Sequence, residues 1–370
     1  MLAIAAGLWT GLHNRLAGRF LALFIVVLVG VLTPWMIGFA GFYDRWQALT
    51  FLPVSVPLLG PPLFWLYVRA LTHGSAPPKA WLHLLPGAVE FAWQAVPFLL
   101  PLETKQAWAD LSNAPANAVL TTGLLISFAA YGRASVEALR RYRLALARGR
   151  SDDGRFAARW LSRAMVAGAI LAVFWSVYAV WDVIRPLGYS GLMGLYAGLA
   201  AIGLFLAIEG WRQIHLAFPP IDQLIPAAVP VVEERDWSAI GRDWIERVRV
   251  EGWYREPDLS LARVARLLGT NASYVSRAFN DGAGRNFSVV INGLRCDEVA
   301  QRLKTEAGGN ILQFAIDAGF SSKASFNRAF RDRHGMTPQA YRRTSATPAT
   351  RDAVADVSKA EAASGPTQRP

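Results

Sequence analysis

RVARLLGTNASYVSRAFND (263–281) and LQFAIDAGFSSKASFNRAFRD (312–332) are two copies of one pattern, the second with one extra residue in its turn. Each reads as a short helix, a glycine turn and a second helix. Ala265 and Ala315 each stand four residues before the glycine of the turn, Gly269 or Gly319, where a small side chain lets a second helix cross closely. In the second helices Val275, Ala278 and Phe279 recur as Phe326, Ala329 and Phe330. That i, i+3, i+4 spacing makes one buried stripe. The opposite faces carry Ser273, Ser276 and Arg277 in one copy and Lys323, Asn327 and Arg328 in the other. Two helix-turn-helix units, each with a polar and arginine-bearing second helix, form a nucleic-acid-reading arrangement.

Charge around the repeat agrees. Residues 260–344 hold 13 Lys and Arg against six acids, a local excess that suits a polyphosphate partner. On the N-terminal side, PPIDQLIPAAVPVVEE (219–234) cannot continue a helix, and residues 213–232 read as a Pro-rich linker. On the C-terminal side, residues 345–370 contain no aromatic residue and are rich in Ala, Ser, Thr and Pro, which predicts a disordered tail.

Upstream of the linker the composition changes. The chain has 370 residues, is 53% hydrophobic and only 18% charged, has a mean hydropathy of +0.25, and carries a net charge of +11. Ordinary soluble domains are more highly charged. The apolar residues concentrate before Trp211. Windows 20–43, 46–68, 111–132, 164–181 and 186–208 contain no ionised side chain, and window 80–102 contains only Glu90. A bilayer core of about 30 Å needs roughly 20 helical residues, so residues 1–212 are expected to be polytopic. The count is six, or seven if the 14 residues up to Asn14 also cross.

Arginine density orients these windows. The connector 133–163 holds nine arginines and three acids. Loops of the opposite parity, around 44–45, 103–110 and 182–185, are poor in positive charge. The positive-inside rule therefore puts the connector, and everything after Trp211, in the cytoplasm of a bacterial-type inner membrane.

Glu90 is the exception within the apolar part. It lies near the middle of its window, where a carboxylate is costly and is usually functional or paired. Gln94 follows one turn later on the same face, and Trp175, Tyr178 and Trp181 line one side of another window. These residues, Glu90 and Gln94 first, are candidates for ligand sensing. Their alternative reading is a structural hydrogen bond between helices, with the aromatics forming an interfacial belt. Cys296 is the single cysteine, and His215 and His334 lack partners at metal-ligand spacing. No cofactor, metal site or catalytic residue is expected.

The residues 234–344 resemble AraC/XylS-type transcription regulators. The most specific pieces are AGF (318–320), FNRAF (326–330) and GMTPQAYRR (335–343), and NFSVVINGLRCDEVAQRLK (286–304) is similar to the family's long joining helix. The resemblance implies an all-α DNA-binding domain over 233–344. Its recognition helices, 271–280 and 322–333, would enter adjacent major-groove segments. Ser273, Ser276, Arg277, Lys323, Asn327 and Arg328 would face bases, with Arg331, Arg342 and Arg343 on phosphate. Short serines in the first unit leave Arg277 as its only long reader.

The expected architecture is all-α, six or seven transmembrane helices followed by a cytoplasmic two-helix-turn-helix domain. The expected function is that of a membrane-anchored transcription regulator and not an enzyme. Its expected partners are double-stranded DNA, the lipid bilayer, an unidentified small-molecule or membrane signal, and a second copy of the chain. The competing class is a transporter or membrane enzyme with a basic cytoplasmic appendage. A transporter would show repeated halves and several intramembrane ionisable residues, whereas the windows offer Glu90 alone.

Overall fold

The computed structural model describes residues 1–11, 13–185, 188–224, 235–306 and 308–345. Among them every named element is helical, and the one β feature is an isolated antiparallel bridge between Arg150 and Ser260. The all-α expectation therefore holds. Residues 225–232 of the proline-rich linker and the tail from 346 lie outside the described residues. The chain forms two compact units, Met1–Arg141 with Ala158–Pro220, and Tyr142–Ala157 with the chain from Ile221 onward.

The first unit contains α1 (Leu2–Thr10), α2 (Arg15–Phe39), α3 (Phe42–Arg45), α4 (Gly60–His73), α5 (Leu85–Phe98) and most of α6 (Leu102–Gly149). After α7 (Asp153–Phe156), which belongs to the second unit, come α8 (Arg159–Ile184), α9 (Gly188–Gly191) and α10 (Met193–Arg212). α2 is the centre, with α1, α4 and α10 packed on it. Small residues allow these approaches: Gly18 faces the Leu8 carbonyl, and Gly210 faces the Leu21 side chain.

Among the described residues, four helices are long and apolar enough to cross a membrane: Arg15–Phe39, Pro115–Gly149, Asp153–Trp181 and Met193–Arg212. The sequence windows number six or seven, and the difference has local causes. Pro53, Pro57, Pro61 and Pro62 break window 46–68 into turns, a 3-10 turn at Pro57–Leu59, and the 14-residue α4. Window 80–102 begins as a 3-10 segment, Ala80–Leu84, and gives the 14-residue α5, with Pro97 in its last turn. α1 has nine residues, about 14 Å of helix, too short to cross. Its Leu8 and Ala5 are instead buried within the unit.

The second unit continues with α11 (Ile221–Leu224), α12 (Trp237–Val250), α13 (Leu261–Leu267), α14 (Ala272–Arg277), α15 (Phe287–Thr305), α16 (Ile311–Asp317), α17 (Lys323–His334) and α18 (Pro338–Ser345). It has two hydrophobic cores. One gathers Val264, Val275 and Phe279 around Phe287, Ile291 and Leu294. The other gathers Phe314, Phe320, Phe326 and Phe330 around Cys296, Val299 and Leu303. α15 thus gives its first half to one core and its second half to the other, and becomes the spine of the unit.

Candidate nucleic-acid interface

The two repeats fold with the same local chemistry. In the first, Ser260 caps α13 by accepting from the Arg263 N–H, and Asn271 caps α14 by accepting from the Tyr274 N–H at 2.8 Å. In the second, Asn310 caps α16 through the Leu312 N–H at 2.9 Å, and Ser322 caps α17 through the Ser325 N–H at 3.2 Å. Both turns open with the same backbone hydrogen bond. Thr270 N–H donates to the Ala265 carbonyl at 2.9 Å, and Phe320 N–H donates to the Ala315 carbonyl at 2.9 Å. Both turn glycines take left-handed backbone, Gly269 with φ of 68° and Gly319 with φ of 97°.

In each second helix the stripe is buried as its spacing requires. Val275, Ala278 and Phe279 are wholly buried, as are Phe326 and Phe330, while Ala329 is packed against the second core. The polar residues are consequently turned away from the cores. Lys323 and Arg331 are exposed, and Asn327 and Arg328 are half-buried. Among the described residues none of Lys323, Arg328 and Arg331 has a carboxylate within ion-pair distance. Lys323 and Arg331 are therefore open to a nucleic acid, whereas Arg328 has Asp153 and Gly154 beside it.

The first helix-turn-helix repeat is more engaged. Ser276 Oγ accepts from Asn280 Nδ2 at 3.1 Å. Arg277 Nε lies 3.4 Å from Asp281 Oδ2, and its guanidinium stands 4.9 Å over the Trp237 ring. Ser273 is half-buried and also has a partner. This side of the domain therefore presents fewer unengaged long donors, in keeping with the short serines there.

The three cations expected on phosphate separate. Arg331 and Arg343 are exposed. Arg342 is partly buried and donates from Nη2 to the Gly309 carbonyl at 2.5 Å, tying α18 to the loop before α16. Other basic residues counted in the local charge are structural. Arg302 bridges Asp317 at 2.9 Å and Glu306 at 3.0 Å and stands 4.0 Å over the Phe314 ring. Arg333 makes a two-bond contact with Asp297 at 3.0 and 2.8 Å.

Arg295 is the residue that sequence reading missed. It is 1% exposed at the junction of the two cores. Its guanidinium donates to the Tyr254 carbonyl at 2.7 Å, the Glu256 carbonyl at 2.6 Å, Asn292 Oδ1 at 3.1 Å and Ser151 Oγ at 3.1 Å. Burial pulls its pKa down to about 10. The signal was present: Arg295 falls between Leu294 and Cys296, four residues after Ile291, on the buried side of α15.

In the first unit, Glu90 and Gln94 come together at a cavity of about 320 Å³ that Trp93, Trp175 and Tyr196 also line. Glu90 is 3% exposed, and its Oε2 accepts from the Leu58 N–H at 3.0 Å. Gln94 Nε2 donates to the Ser55 carbonyl at 2.7 Å. Both side chains thus satisfy backbone groups of the irregular stretch before α4. Of the aromatics from the other window, Trp175 lines this cavity, whereas Trp181 is exposed and does not.

A family model described as a helix-turn-helix domain matches residues 264–344. The chain is also similar to Transcriptional regulator Rob of Salmonella typhimurium, 34% identical over 110 residues, which are 30% of this chain and 37% of Rob. Uncharacterized HTH-type transcriptional regulators of Staphylococcus aureus strains MSSA476 and N315 are each 31% identical over 116 residues. Those residues are 31% of this chain, and the match spans only 15% of the length of either staphylococcal relative. No solved structure matches the chain. Its C-terminal part is an AraC-type helix-turn-helix domain.

Proposed function

We propose that the chain is a sequence-specific DNA-binding transcription regulator anchored in a bacterial inner membrane. The observation that carries this reading is the pair of helix-turn-helix units on one spine helix, with the polar face of α17 presenting Lys323, Asn327 and Arg328. Arg328 suits a two-bond contact to guanine, and the exposed Arg331 and Arg343 suit phosphate. The similarity to regulators supports the reading for the C-terminal domain.

The four long apolar helices support the anchor. The helical runs 57–73 and 80–98, each a 3-10 turn leading into an α-helix, would complete six spans. The arginine-rich connector then keeps the C-terminal domain cytoplasmic. The cavity beside Glu90 is the place where a small ligand would act. A second copy of the chain is the further partner proposed, since regulators of DNA often read paired sites as dimers.

The test is genome-wide mapping of the DNA sites occupied by the full membrane-embedded chain, with Arg328→Ala beside it. A shared sequence element, lost or relaxed at one base pair in the variant, is expected. Occupancy without a common sequence in the parent would overturn the proposal.

A further inference from the structure

The connector between α6 and α8 is built into the second unit. Ser151 donates its backbone N–H at 3.1 Å and its hydroxyl at 2.9 Å to the Leu259 carbonyl. Its own carbonyl accepts from Asn292 at 3.0 Å, and its Oγ accepts from the buried Arg295. Arg150 grips Asp152 with two bonds of 2.6 and 3.0 Å, and Asp152 is itself buried. This is a specific seat: a buried guanidinium must be satisfied on all sides, and Ser151 supplies one of its acceptors.

The next two residues of the connector lie against α17. Asp153 accepts a hydrogen bond from Ser288, lies within charge–charge range of the Arg328 guanidinium, and lines the same pocket as Arg328 and Ser325. Gly154 is closer still. A Cβ built there would stand 2.7 Å from Arg328 Nη2 and 2.8 Å from Ser325 Oγ. The backbone at 153–154 thus occupies ground beside a side chain that has to reach a base edge. A major groove about 12 Å wide admits a helix and leaves little room for a second segment against it. The Asp153 carboxylate would also face DNA phosphates with like charge.

We propose that residues 150–154 are an inhibitory latch, seated on α15 through Ser151 and Arg295, which holds Asp153 and Gly154 against Arg328 and Ser325 and must leave before α17 reads DNA. The proposal rests on α17 being a DNA-reading helix. The latch follows the end of α6 and leads through the rest of α7 and residues 157–158 into α8, so a displacement of either helix is passed to it along the chain.

The test is a reversible lock in the full chain held in lipid nanodiscs. Gly154→Cys with Ser325→Cys puts two thiols within disulfide reach, and Cys296 is buried away from oxidant. Binding is measured to a duplex selected from a random pool by the reduced double variant. The expected result is that oxidation forms the crosslink and lowers affinity by about tenfold or more, with recovery on reduction. Ser151→Ala with Asp153→Ala, which loosens the latch, should raise the affinity of the full chain above the parent. Equal affinity of the crosslinked and reduced forms would overturn the latch while leaving DNA reading intact, and so would failure of the crosslink to form. If the reduced protein selects no duplex, DNA reading fails and the latch fails with it.

Discussion

Arg342 Nη2 donates to the Gly309 carbonyl at 2.5 Å and so joins α18 to the loop that opens the second helix-turn-helix unit. Arg343, its neighbour in the chain, is exposed. Two adjacent arginines in one motif therefore hold different positions, one closing the fold and one facing solvent.

DNA binding across a salt series separates their roles. Arg343→Ala should weaken selected and scrambled duplexes alike and flatten the salt dependence by about one unit. Arg342→Ala should show its effect first in the stability of the second core, by about 1–3 kcal/mol for the lost hydrogen bond to a charged donor. Arg328→Ala should cost about 1–3 kcal/mol on the selected duplex only. An equal loss on both duplexes would remove Arg328 from base reading.

The two turn glycines offer a matched pair. At Gly319 a Cβ would stand 2.6 Å from the Arg255 carbonyl oxygen, in addition to the left-handed backbone, whereas at Gly269 nothing lies within 4 Å. Gly269→Ala should cost about 1 kcal/mol, the backbone penalty alone. Gly319→Ala should cost about 2 kcal/mol or more, because backbone must move as well. Amide exchange of α16 and α17 in the full chain reads the difference, and equal protection in the two variants would contradict it.

Reporter fusions after residues 75, 150 and 230 should all signal cytoplasm, and those after 108 and 187 the exterior. An exterior signal after 150 would separate the C-terminal domain from DNA and end the membrane-regulator reading.

Glu90→Gln keeps an acceptor for the Leu58 N–H and removes the carboxylate. It should alter transcriptional output in cells at unchanged membrane level, because a ligand shifts output only by binding the two states differently. Glu90→Leu removes the acceptor too and should lower the membrane level, with about 1–3 kcal/mol lost for the buried N–H left unpaired. Parent-like output in Glu90→Gln would leave the carboxylate a purely structural role.

The repeat is legible in the sequence because local periodicity builds it. Phe326 and Phe330 are buried for the same reason that Asn327 and Arg328 are not, and that reason lies within one turn of helix. The spans are less legible because window length counts charges and ignores prolines such as Pro57 and Pro61, which cut an uncharged run into turns. Arg277 reads as a free donor from its own helix, yet Trp237 and Asp281 engage it, and Trp237 comes from an element 40 positions away. The contact between Ser151 and Arg295 spans 144 positions. No pattern within either stretch announces it, since nine arginines in one connector read first as a signal of membrane orientation.

The spine helix α15 makes the domain a ruler. The second helices of both repeats are packed on its 19 residues, so the gap between the two proposed reading heads is set by helix pitch and core packing. Each base pair added between their targets would carry the second target about 3.4 Å along the duplex and about 34° around it. A rigid gauge cannot follow that rotation. Misfit has to be absorbed by bending or twisting the DNA, and a site with altered spacing should lose affinity even when every base that either head reads is intact.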